Sequence, residues 1–142
     1  MAELTSMVMP TPADQVFGVG TGGTAREKAA YVDGKRQDVA ATWLDGSAVH
    51  RLTGIAISVA GQGLDGAVVE TTTPLENVAA GTVFRAEGHV EIRVRADGRP
   101  GFNGGGPRGV LTVTVFIQRL VPVGAIDELL VAMGDAAAKA KR

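Results

Sequence analysis

The segment 97–109 sets Arg99, Phe102 and Arg108 among six glycines, between two strongly strand-like runs. These residue types suit one kind of chemistry. Guanidinium groups pair with phosphates, an aromatic ring offers its face to a base, and glycines let the backbone approach a strand. Base–aromatic stacking contributes about 1–3 kcal/mol per base and tolerates any sequence. The plain alternative is a long solvated hairpin loop, with Phe102 tucked onto the body of the protein or into a neighbouring subunit. Arg93 and Arg95 precede the segment at alternate positions and share a side with His89. With Arg85 and Arg119 they would extend it into a basic groove, or else form a solvated face that discourages edge pairing. Lys35 and Arg36, just after Asp33 and Gly34, are a second candidate phosphate contact or ordinary turn residues. Phe116 is either a stacking platform or a ring buried by packing. Trp43 reads as core rather than ligand contact.

Other chemistries lack carriers. The glycine-rich run 18–23 is only superficially like a phosphate loop: it has no Gly-Lys-Ser/Thr and no βαβ context, and it reads as a flexible loop. His50 and His89 are the only histidines and fall in different predicted strands, and no His/Asp/Glu spacing suggests a metal site. Ser47, Ser58 and the aspartates could be combined with a histidine on paper, yet no nucleophile elbow supports a triad. The expectation is a non-enzyme with no catalytic residues, no metal and no cofactor. The absence of cysteine removes disulfides, thiolate zinc sites and cysteine nucleophiles, and suits a cytoplasmic location.

Charge is distributed unevenly although the net value is only −1. Residues 1–80 hold five Lys/Arg against nine Asp/Glu, whereas residues 81–119 hold six Arg against three acids. The positive excess is therefore contiguous, and modest. No apolar run reaches the roughly 18–20 residues of a membrane span, and the N-terminus has neither the basic nor the apolar region of a signal peptide.

The elements that must position these residues are short strands between glycine-rich turns. The length of 142 residues fits one domain. Residues 1–14, with Pro10 and Pro12, read as a flexible arm. Strands are expected at 15–19, 39–44, 49–59, 67–72 and 82–86, with Asp45 and Gly46 as a hairpin turn between the second and third. The clearest strand is 89–96, where Val90, Ile92 and Val94 alternate with His89, Glu91, Arg93 and Arg95. Residues 110–120 follow, β-branched nearly throughout. Gly124 then opens an amphipathic helix over 124–142, with Ile126, Leu129, Leu130 and Met133 as its apolar stripe. The fold expected is mainly β: a small OB-like antiparallel barrel or sandwich over 15–123, closed by the C-terminal helix.

The order of these elements also resembles a known group. The runs VAATWLDGSAVHRLTGIAISV, AVVETTT and the FRAEG…VEIRVRADGR pair are similar to the replication-activator proteins of actinobacterial plasmids and integrative elements. The closing FIQRLVPV resembles the end of the gene V type single-stranded-DNA-binding proteins of filamentous phages. That resemblance spans residues 31–123. It implies an OB-fold barrel acting as a homo-oligomer on single-stranded DNA, in replication or maintenance of a mobile element. Under it, Lys35, Arg36, Arg93, Arg95, Arg99, Phe102 and Arg108 would contact nucleic acid. The C-terminal helix lies outside the pattern. The competing expectation is a structural or assembly protein such as a phage virion or decoration subunit, for which near-zero charge and Gly/Thr/Val-rich strands would suffice. A small enzyme or ligand-binding barrel ranks last, for want of convergent polar groups.

Overall fold

The computed structural model describes residues 6–99 and 108–128. Over these the chain is mainly β and forms a curled sheet. Its strands are β1 (Ser6–Pro10), β2 (Val16–Gly20), β3 (Gly23–Glu27), β4 (Ala29–Val32), β5 (Lys35–Ala40), β6 (His50–Leu52), β7 (Ile55–Val59), β8 (Gln62–Gly63), β9 (Val68–Thr71), β10 (Asn77–Val78), β11 (Thr82–Arg99) and β12 (Arg108–Ala125). A 3-10 turn spans Ala13–Gln15.

β2 and β3 are two halves of one kinked strand, and so are β6 and β7. β2 pairs antiparallel with β7, and β3 with β6. Thr21 N donates to Gly54 O at 2.7 Å and Thr53 N to Thr24 O at 2.9 Å, which carries the ladder through the kink. The crossing needs bare backbone. A Cβ on Gly23 would lie 2.0 Å from the Thr53 carbonyl oxygen, and one on Gly20 2.1 Å from that of Ala79. The run 18–23, expected to be a flexible loop, is therefore strand over most of its length, and its glycines admit a second backbone.

From this kinked hairpin the sheet continues β6 to β9 antiparallel, β9 to β12 parallel, β12 to β11 antiparallel, and β11 back to β2 antiparallel. The expectation of a wholly antiparallel sheet is thus corrected at one pair, β9 with β12. Inside the curl, Val16, Leu52, Ile57, Val69, Phe84, Val90, Val115, Ile117 and Leu120 form the core. Each such side chain contributes about 1.5–3 kcal/mol when fully buried. The alternation read from the sequence holds here, with Val90 inward on β11 and Val115 and Ile117 inward on β12.

Several boundaries move. The strands expected at 82–86 and 89–96 are one 18-residue strand, β11, with a register shift between Glu87 and Val90. At that bulge Gly88 has φ 76°, and the Gln118 side-chain oxygen accepts the His89 N–H at 2.9 Å. Asp33 (φ 51°) and Gly34 (φ 77°) make the left-handed turn between β4 and β5, as a two-residue hairpin demands. Asp45 and Gly46 do not join two barrel strands. They sit in a tight loop closed by the isolated Thr42–Ala48 bridge, so the expected strand 39–44 gives way to β5, which ends at Ala40.

Residues 6–10, read as part of a flexible arm, are a strand laid antiparallel on β11. β12 runs through Gly124 to Ala125, so the helical backbone starts at residue 126, not at Gly124. The rest of the expected helix, with Leu129, Leu130 and Met133, lies outside the described residues. Among the described residues no helix is long and apolar enough to cross a membrane.

Candidate nucleic-acid interface

Residues directly opposite one another in a sheet share a face. The register places Arg26 beside Arg51, Arg51 beside Glu70, Glu70 beside Phe116, and Phe116 beside Glu91. This row crosses the outer face of β3, β6, β9, β12 and β11, because its sequence neighbours Leu52, Val69, Val115, Ile117 and Val90 point into the core. A carboxylate at the centre of a sheet needs partners, since burying an unpaired charge is prohibitive. Glu70 is 1% exposed and has three. Lys28 Nζ lies 3.2 Å from Oε2, Arg51 Nη2 lies 3.0 Å from Oε2, and Arg93 Nη1 lies 3.4 Å from Oε1.

Backbone bonds fix these cations in place. Lys28 stands at the root of the β4–β5 ribbon, its N–H donating to Val49 O at 2.8 Å and its carbonyl accepting from Ala41 N at 2.6 Å. Arg93 is held from its other side by Glu91, with Nε 2.9 Å from Oε2, and it lies 5.2 Å from the centroid of the Phe116 ring. Phe116 is fully buried although it faces outward. Trp43 covers it at a centroid distance of 5.4 Å and stacks on His89 at 5.9 Å and 25°. Trp43, expected in the core, instead caps the outer face and is only half-buried.

Glu91 receives His89 Nε2 at 3.0 Å as well as Arg93. Burial works against its charged form, but the hydrogen bonds from Arg93 and His89 outweigh it and hold the carboxyl below its ordinary value of 4.5. A depressed acid stabilises the fold above its unfolded pKa and loses that contribution as pH falls through the folded one. Melting followed from pH 6 to pH 3 should therefore show stability falling below about pH 4.5. Glu91→Gln should flatten that part of the profile, and an unchanged acid limb would remove the pairing as its cause.

The expected site residues are only partly brought together. Arg93 and Arg95 line one pocket with Lys28 and Arg51. Lys35 and Arg36 lie apart, on the β4–β5 ribbon, where they are the register partners of Val32 and Tyr31. Arg99 and Arg108 are backbone partners at the far end of the β11–β12 hairpin, and Phe102 lies outside the described residues. Arg85 and Arg119, expected to extend the groove, are instead both held by Glu87, at 2.6 and 3.6 Å, and border a different pocket with Phe17.

Lys28, Arg51, Glu70 and Tyr31 lie outside the set of residues that the sequence pattern marks. Glu70 had a readable signal, a lone acid inside the β-branched run 67–73. Tyr31 is well exposed on the ribbon beside Arg36. Among the described residues no group of three or more His, Asp or Glu could hold a metal ion. No family model, no curated protein and no solved structure matches the chain.

Proposed function

We propose that this chain binds single-stranded nucleic acid, DNA in preference, without catalysing a reaction, as an OB-like barrel. The observation that carries the reading is the convergence of Lys28, Arg51 and Arg93 on the outer face, anchored by one buried carboxylate. Counting β2/β3 and β6/β7 as single kinked strands, the circuit has five members, with β9, β11 and β12. The connection from the first to the second carries the ribbon with Tyr31, Lys35 and Arg36. The connection from the fourth to the fifth leaves β11 at Arg99 and enters β12 at Arg108, its backbone partner. In OB barrels the outer face of the second and third strands, together with these two connections, takes oligonucleotides. Here that face bears Arg51 and Glu70. We propose further that it acts in the cytoplasm as a homo-oligomer, in replication or maintenance of a plasmid or phage.

The test is fluorescence anisotropy with a single-stranded oligonucleotide across a salt series. Binding at about 50 mM salt should weaken with a log–log slope near −0.7 per phosphate neutralised. Lys35→Ala with Arg36→Ala should make that slope shallower by about 1.4, with melting unchanged. No binding at low salt removes the reading.

A second reading, an assembly or virion-surface protein, draws on the exposure of Met7, Val8 and Leu111, the last 69% exposed, along β1 and β12. Exposed apolar side chains mark a contact surface where they are contiguous. A stable symmetric oligomer in light scattering, with no nucleic-acid binding, would favour it.

A further inference from the structure

The face of the sheet that carries the core does not stop where the core stops. Met9, Ile92 and Val115 are register partners across β1, β11 and β12 and so share a face. That face is the inner one, since Val115 is fully buried and Ile92 packs against the core. Two residues further along the strands lie Met7, Val94 and Val113, and beyond them Ala96 and Leu111. Exposure rises along this path: Val94 and Val113 are half-buried, Met7 is 54% exposed and Leu111 69%. A contiguous apolar face of this kind marks a contact surface rather than a scatter of single residues.

Charge and shape say what this face can meet. None of these side chains is ionisable. Arg93 and Arg95 are register partners of Thr114 and Thr112 and belong to the opposite face. A lipid surface seated on the apolar side would have those cations turned away from its headgroups. A second copy of the same face brings no like charge to repel. Gly98 and Gly109 are register partners just beyond Leu111 on this side, and a Cβ on Gly109 would meet nothing within 4 Å. A projecting leucine therefore stands beside bare backbone. Two such faces related by a two-fold axis can set each Leu111 over the other's glycine pair, the self-complementarity that an isologous contact requires. We propose that the inner face of the β1–β11–β12 sheet docks a second copy of this chain, sheet on sheet at a spacing of about 10 Å. The inference rests on the homo-oligomer of the proposed function. It adds the interface, one that leaves the Glu70 cluster on the outside of both copies.

The experiment is size exclusion with light scattering on the full chain over a wide range of protein concentration. The parent should run as a dimer. Leu111→Glu should weaken that dimer by roughly 30-fold or more, because the two-fold axis buries the unpaired carboxylate twice. Its circular dichroism should match the parent's, since residue 111 faces solvent in a single copy. Gly109→Leu adds apolar surface yet should also weaken the dimer, because it fills the space that Leu111 of the other copy takes. Leu44→Glu, at a leucine 94% exposed away from this face, should leave the dimer unchanged. A dimer that Leu111→Glu leaves intact overturns this interface and leaves the homo-oligomer standing. Association that Gly109→Leu strengthens overturns the two-fold fit in the same way. A parent that stays monomeric at every concentration overturns the interface and the homo-oligomer together. Co-sedimentation of that monomer with neutral lipid vesicles would assign the face to a membrane instead.

Discussion

Replacing Glu70 by alanine should lower stability by about 2–4 kcal/mol, more than any other single change on the outer face. Breaking a buried ion pair usually costs about 3–5 kcal/mol, because the surviving charge is stranded. Here the survivors are partly solvated, with Arg51 half exposed, so the loss falls at or below the lower end of that range. The loss has two parts: Lys28, Arg51 and Arg93 repel one another once the anion is gone, and the space it filled opens beside Phe116. For a domain of this size the melting midpoint should fall by roughly 6–12 °C. Glu70→Gln keeps the shape and removes the charge, so it separates the two parts and should cost less. A Glu70→Ala protein that melts within a degree or two of the parent would show that the cluster does not hold the sheet.

Gly23→Ala is the second large effect, and it acts on the backbone. The added methyl would meet the Thr53 carbonyl at 2.0 Å for oxygen and 2.4 Å for carbon, and the Gly54 Cα at 2.8 Å. None of these is the loose end of a side chain, so relief requires β3 and β6 to separate. Overpacking in cores costs about 1–3 kcal/mol where side chains can shift, and this site should exceed that. Gly63→Ala is the control: a Cβ there meets nothing within 4 Å, and the change should stay within about 1 kcal/mol. Urea midpoints for the two variants check this. Similar midpoints would mean that the kink tolerates a side chain.

These cases also show where sequence reading ends. Alternation along 89–96 places Val90 inside and Arg93 outside, because pleating alone decides that. The Asp33–Gly34 turn is equally local. Lys28, Arg51 and Glu70 come from three segments, and they meet only because β6 lies between β3 and β9. Periodicity assigns a face and says nothing of the neighbour across it. The glycines at 18–23 failed for a related reason. A loop and a strand crossed by another backbone use the same residue, and only the crossing partner tells them apart. Trp43 lies outside the core because an outward-facing Phe116 can be covered by a loop as completely as by a core.

The parallel pairing of β9 with β12 bears on how the protein is made. Residues 68–71 have no parallel neighbour until residues 114–117 have been synthesised, and β2, paired with β7 by then, has no second neighbour until residues 83–85. On the ribosome the early hairpins therefore stay unfinished, with open edges, until most of the chain has emerged. Refolding of so non-local a topology falls on the order of milliseconds to seconds rather than microseconds. Nascent chains truncated before residue 114 should stay protease-sensitive.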